Sequence, residues 1–499
     1  MSDDQPGMRK KFQLINGSAL GGSTRINQML YLRGVKQEYD MWAESGCKGW
    51  GWNDVEPFFK KSERFLDGNG DLTSHGTKGE WRNRTGPLVF PGFRQLVESC
   101  KNLSLPYIDD FNSEKNPDIG CGRLHFTRDE NQHRNSTYYA FLPSRLVSQR
   151  PNLHILTNTI AEKLIIGKGN NGPAVKGVQV SSRLVSQRKI VTCELEVVVC
   201  AGPFGSPQIL MLSGIGPAQH LKELGIQVHK DLPVGENLQD HFAVSIAQRI
   251  PMSHSLVSLE TRPWIFLVEL IKWLIWGTGM LLAPVLQLAV FASSSLLDDE
   301  GRPIPGKQGN SDEIPDVEIM PMAYDSSDLG FDKSRGVFSF LCVLLRPKSK
   351  GTVRLAFNAF DAPLRVDPRY LSNPDDFLPL RAVLKLALRI GEDMRASGYP
   401  IEDWKSEMPQ DEDDASLDKF IQWRNRTTYH YSSTCRMGPR EDIPDGGAVV
   451  DEQLRVFGVN KLRVADSSVF PWVLGTHLQA PTVMVAEKCA HMMLNPKND

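Results

Sequence analysis

The segment 191–216, VTCELEVVVCAGPFGSPQILMLSGIG, constrains the fold more than any other part of the chain. Its run Val197-Val198-Val199-Cys200 is apolar without alternation, the pattern of a strand buried on both faces, so 191–201 is expected to be such a strand. Gly202 and Gly205 then predict a turn into a helix over 207–212, and Ser213-Gly214 stops that helix. Strand, glycine turn and helix in succession make the unit of an α/β domain. Short β segments are expected upstream, at 153–156 and 178–180. A short strand at 461–465 and a helix over 481–494, with proline in its first turn, are expected near the C-terminus.

At 499 residues, with 40% hydrophobic and 23% charged side chains, the chain is long enough for two or three domains of ordinary globular composition. The net charge of −2 argues against a nucleic-acid footprint or an anionic membrane surface. The start, MSDDQPGMRKK, lacks the apolar core of an export signal. The longest apolar stretch, 264–292, is interrupted by Glu269, Lys272, Gly277, Gly279 and Pro284. It reads as a core helix plus a turn, with no membrane span. The eight cysteines lack CxxC spacing and read as small buried side chains; no metal site is expected. Five Asn-x-Ser/Thr sequons occur, of which Asn16 is expected to be buried. Residues 65–150 read as loops and short elements, and the heptamer SRLVSQR, at 144–150 and 182–188, is too short to be an architectural repeat. No GxSxG elbow is present, which disfavours a serine hydrolase.

Two histidines sit where chemistry is plausible. His430 precedes the short C-terminal strand, and His477 stands just before the C-terminal helix. A neutral imidazole takes a proton near pH 7, and a helix N-terminus favours nearby negative charge. Two loop histidines are more often unrelated packed residues, and that reading stays open on spacing alone. Gly21-Gly22-Ser23-Thr24 lets the backbone approach a planar ligand, although a plain tight turn has the same composition.

Four blocks in one order carry a resemblance. YHYSSTCRMG (429–438), LRVADSSVFPWVLGTHLQAP (462–481), NGSALGGSTRINQMLYLRG (16–34) and AGPFGSPQILMLSGIGP with LPVGENLQDH (201–217 and 232–241) resemble the signatures of the glucose-methanol-choline (GMC) flavin oxidoreductases. The resemblance implies an α/β protein: a Rossmann-like FAD-binding domain, here incomplete, with an inserted α+β substrate domain. The FAD-binding parts fall at 12–60, 150–242 and 452–499, and the substrate and lid parts at 61–149 and 243–451.

It also implies oxidation of an alcohol CH–OH group by hydride transfer to FAD, with oxygen or another electron acceptor regenerating the cofactor. His430 falls on the family's base and His477 on its second active-site position; Gly21, Gly22, Ser23, Asn27, Asp466 and Gln479 are the implied flavin contacts. Alternatives are a cofactor-less remnant that only binds a small molecule, and a lyase or cyclase of the same family. Two departures stand in the loop of His430: Tyr431 occupies the usual proline position and Ser433 the usual glycine position. No GxGxxG strand–turn–helix unit occurs in the 499 residues. The chain by itself is therefore expected to hold FAD weakly and to leave strand edges unpaired.

Overall fold

The computed structural model describes residues 11–67, 71–169, 172–182, 187–305, 307, 313–327, 330–439 and 447–496. The N-terminal residues 1–10, part of the second SRLVSQR copy (183–186) and most of 306–312 lie outside them. Two bodies form around two cores. In the first, the strands Val197–Val199 and Leu462–Val464 pair in parallel, Val198 opposite Arg463, and among the described residues this sheet has two strands. The helices Trp52–Ser62, Gly202–Leu212 and Gln479–Leu494 contribute to its core, together with one face of an antiparallel sheet of Thr159–Gly169, Gly172–Ser182 and Arg188–Thr192.

The second body is an eight-stranded mixed sheet. Its central strands, Phe242–Ile250, Gly336–Leu344, Val317–Met322 and Leu288–Ala292, are antiparallel neighbours, while Tyr107–Ile108 at one end runs parallel to Gly120–Arg123. Side-chain alternation sorts these strands into two faces. Phe242, Val244, Ile246, Val317 and Ile319 share a core with the 20-residue helix Phe377–Ala396. Ala243, Met320, Leu341 and Val343 join Leu30 and Leu32 on the opposite face. Glu318 lies between Val317 and Ile319 in the strand, and alternation turns it to that opposite face, towards the first body.

Several expectations need correction. The helix expected at 207–212 begins at Gly202, because Asp466 accepts the Gly202 N–H at 2.9 Å and Pro203 needs no hydrogen bond in the first turn. Residues 153–156 form no strand, and Leu156 is exposed. The expected strand at 191–201 is split between Arg188–Thr192 and Val197–Val199; Val197 and Val198 are only half-buried and Cys200 is exposed. Residues 65–150 contain the helix Pro91–Asn102, whose apolar face is buried. Asn16 is exposed, its side chain accepting from Ser23 Oγ, whereas the sequon residues Asn83, Asn135 and Asn425 are buried. The apolar helix Pro263–Trp276 is not a core helix: Glu269 is its one buried residue.

A buried ionic network braces the chain near its start. Arg33 donates to Glu63 at 2.6 Å, and His75 bridges Glu63 (Nδ1, 2.9 Å) and Asp110 (Nε2, 2.7 Å) while stacking on Phe65. Donor atoms of His75, Asp110 and His125 lie within 4.8 Å of one another, the residue types of a metal site. However, Asn112 Oδ1 accepts from the Arg33 N–H, so its Nδ2 donates to His125 Nδ1 and leaves the other ring nitrogen of His125 protonated. The two carboxylates are instead balanced by Arg33 and a protonated His75. Burial alone would lower the His75 pKa, but the hydrogen bonds and charges of Asp110 and Glu63 raise it from 6.5 to about 9. A raised histidine pKa contributes stability that is complete below 6.5 and lost as pH rises through about 9. The fold should therefore lose stability between those values in denaturant titrations, and His75→Gln should be less stable at pH 6 but show a flatter slope across the window.

Candidate active site

His430 is positioned from its own backbone. Asp240, buried at the start of the strand Phe242–Ile250, accepts the His430 N–H at 2.7 Å through Oδ1. Its Oδ2 accepts from Thr427 Oγ1 at 2.5 Å and from the Tyr370 hydroxyl. Burial lifts the Asp240 pKa to about 6 against those hydrogen bonds. The loop bends through two left-handed residues, Tyr429 at φ 64° and Ser433 at φ 70°. Thr427 Oγ1 accepts the Tyr429 N–H, and the Ser433 N–H is held by Ser467 O. Ser433 thus keeps the conformation that the family's glycine adopts freely, at some cost in strain. Tyr431, in place of proline, is buried against Phe204, with its hydroxyl 3.5 Å from Thr427 Oγ1.

Three imidazoles then converge. His430 and His477 stand edge to face with ring centroids 4.9 Å apart, and His241 packs on His430 at 5.0 Å with the two Nδ1 atoms 2.9 Å apart. Thr428 Oγ1, which also reaches His241 O, lies 3.2 Å from His430 Nδ1, and His241 Nδ1 is nearer still, so Nδ1 is taken up within the protein and Nε2 is the ring nitrogen left to face a ligand. Burial, then the neighbouring His477 and His241, hold the His430 pKa well below the usual imidazole range. His241 is lowered to about 3, by burial and then His477. His477 Nε2 lies 3.2 Å from the Glu318 carboxylate, which reaches it from the second body's sheet. A carboxylate only accepts, so Nε2–H points to Glu318 and Nδ1 remains for a ligand.

The implied flavin contacts fall into separate clusters. Asn27 donates to Gln479 Oε1 at 2.8 Å and accepts from Arg134, while Gln479 also donates to Leu30 O. This ties the exit of the glycine turn to the helix that follows His477. Ser23 bonds Asn16 and the Gly17 N–H instead. Asp466 is taken up by the Gly202 and Ser468 N–H groups and the Ser206 hydroxyl, so it acts as a clamp between the parallel strands and the helix Gly202–Leu212. Gly21 and Gly22 have φ 91° and 54°; a Cβ on Gly22 would meet nothing, and one on Gly21 would press on Tyr138 at 3.0 Å. An open, positive-φ turn tied beside a helix N-terminus suits the edge of a flat, electron-accepting ring, so the residues present fit the ring end of FAD. Sequence reasoning gave no role to Asp240, His241, Thr428 or Glu318. The one signal for Glu318 was a carboxylate in the otherwise apolar strand VEIMPM.

Paired histidines beside an open glycine turn, on a Rossmann-like domain joined to a substrate sheet, define a flavin-dependent oxidoreductase. GMC oxidoreductase profiles match residues 7–243 and 347–486, and the chain belongs to that family, with FAD as its cofactor. It is similar to Dehydrogenase str4 of Strobilurus tenacellus, 32% identical over 96% of this chain and 81% of that protein. It is also similar to the oxygen-dependent choline dehydrogenase of Sinorhizobium medicae, 32% identical over 99% and 84%. Among solved structures, an FAD-dependent oxidoreductase from Chaetomium thermophilum superposes with a TM-score of 0.84 at 25% identity, covering 99% of this chain and 88% of that one. Among the described residues, no helix is long and apolar enough to cross a membrane.

The left-handed Ser433 gives a test of the loop. Ser433→Gly should stay within about 1 kcal/mol of the parent in denaturant unfolding, since relief of strain offsets the lost hydroxyl and the freer unfolded chain. Ser433→Val, β-branched at a positive φ, should destabilise by about 2 kcal/mol or more.

Proposed function

We propose that this chain oxidises the CH–OH group of a small alcohol, with His430 as the base that takes the hydroxyl proton. FAD supplies the two-electron acceptor for the departing hydride. The observation that carries the reading is the half-buried His430, its basicity held down by desolvation and by His477, its Nδ1 taken up by Thr428 and His241, and its ring 4.9 Å from His477 between centroids. A base that is unprotonated before substrate arrives takes a proton without first losing one of its own. His477, its Nε2–H held by the Glu318 carboxylate, donates from Nδ1–H to the same substrate oxygen and fixes the angle at which the C–H bond faces the ring. Gly21, Gly22, Ser23, Asn27, Asp466 and Gln479 line or brace the ring end, Asn27, Asp466 and Gln479 mainly by holding the backbone that meets it. The boundaries at 60, 149, 242 and 451 are the division we adopt between FAD-binding and substrate parts. Oxygen or another acceptor returns the flavin to its oxidised state; the oxygen-dependent dehydrogenase among the relatives supports that reading.

In FAD-loaded protein, His430→Ala should slow flavin reduction by about 10²–10⁴-fold in stopped-flow single turnovers, with a much smaller change in substrate Kd. Near-parental reduction would remove His430 from the role of base.

His477→Asn should retain most of the reduction rate because the amide still hydrogen-bonds the substrate oxygen, whereas His477→Ala should not. Equal losses in the two variants would make His477 a second base or a packing residue.

A further inference from the structure

The helix Pro263–Trp276 has no counterpart among the other described elements. It is 14 residues long, PWIFLVELIKWLIW, and Glu269 alone is buried. Trp264, Leu274, Ile275 and Trp276 are 64%, 66%, 65% and 64% exposed, and Phe266 and Leu267 are exposed as well. At 100° per residue these six side chains are spread around the helix instead of along one stripe. The single buried polar group works inward: Glu269 pairs with Lys272 at 2.6 Å and accepts the Met280 N–H at 2.6 Å. That contact folds the exit turn, with Gly277 at φ 58° and Gly279 at φ 102°, back along the helix. Arg128 anchors the turn to the body by donating to Leu282 O at 2.7 Å. The helix is therefore a built projection, tethered at its ends and bare between them.

In water such an element lacks what normally stabilises a helix, a packed apolar face. An exposed apolar surface of this size marks an interaction site. A second copy of the chain, or any folded partner, would cover one side and leave the other wet, because a protein surface meets a helix along one stripe. A hydrocarbon layer covers every side at once. Tryptophan indoles near both ends, and Lys272 with a 45% exposed side chain, suit the boundary between acyl chains and headgroups. At about 1.5 Å per residue the helix is about 21 Å long, short of the roughly 30 Å hydrocarbon core. We infer that the helix Pro263–Trp276 inserts into one leaflet of a lipid bilayer and holds the enzyme on the membrane surface from one side, without spanning it.

The test uses the full chain and phosphatidylcholine vesicles, with and without phosphatidylserine. The protein should float with vesicles of phosphatidylcholine alone, and acyl chains brominated near the headgroup should quench its tryptophan fluorescence. A variant carrying Trp264→Ser, Leu274→Ser, Ile275→Ser and Trp276→Ser should lose vesicle partitioning on the order of 100-fold or more. Its circular dichroism and flavin content should match the parent, because these side chains are exposed. Failure of the parent to float would overturn the inference. So would flotation that requires phosphatidylserine and survives the four substitutions, or a dimer in sedimentation that the substitutions convert to monomer without any vesicle binding.

Discussion

The carboxylate of Asp240 is the contact on which the rest of the site depends. It is buried where the substrate sheet begins, and it gathers the His430 N–H and the Thr427 hydroxyl from one loop and the Tyr370 hydroxyl from another segment. An unpaired carboxylate in that position would cost several kcal/mol, and each donor left without it would cost about 1–3 kcal/mol. The chain can satisfy all four groups only by bringing the loop 427–433 back against the strand Phe242–Ile250. Two non-glycine residues sit at positive φ to do so. The strain at Tyr429 and Ser433 is thus a consequence of where Asp240 lies, and the orientation of the His430 ring follows from it.

Once His430 is fixed, its surroundings give the imidazoles different partners. Burial and then the neighbouring His477 hold both His241 and His430 below the usual imidazole range; His477 alone of the three has a carboxylate, Glu318, at hydrogen-bond distance. A proton acceptor and an oriented hydrogen-bonding partner thereby stand side by side without exchanging roles. Groups whose environments push their protonation states apart are the usual basis for dividing acid and base work in one site.

Much of this was legible in residues that obey local rules. The strand Leu462–Val464 and the helix after His477 follow from apolar pattern and proline position. The two histidines were visible through the motif blocks, and their proximity is a fact of the fold. What escaped the sequence depends on long-range partners. The helix at Gly202 starts early because Asp466, far along the chain, accepts its first N–H and the Ser206 hydroxyl, a contact with no local signal. Asp240 and His241 sat inside a quoted block without a role, since nothing local announces that a carboxylate will meet a backbone N–H from a distant loop. The apolar helix Pro263–Trp276 was read as core because hydrophobicity reports a need for cover and is silent about what provides it.

Strand alternation explains why one side chain of the substrate body reaches the catalytic pair. In VEIMPM, Val317 and Ile319 are committed to the core under the helix Phe377–Ala396, which obliges Glu318 to face the other way. The face it joins carries Ala243, Leu341 and Val343, with the buried hydroxyls of Ser245 and Ser339 further along the same strands. A lone buried carboxylate on such a face needs a polar partner, and His477 of the first body is that partner at 3.2 Å. The contact therefore ties the two bodies together as well as orienting one imidazole. A one-residue slip of this strand against Gly336–Leu344 would bury Glu318 among Val244, Ile246 and Leu384 and turn Ile319 towards His477. Register, fixed by the apolar core on the helix side, is thus what delivers a charged group to the reactive side, and the substrate sheet becomes part of the active site through the same pattern that makes it fold.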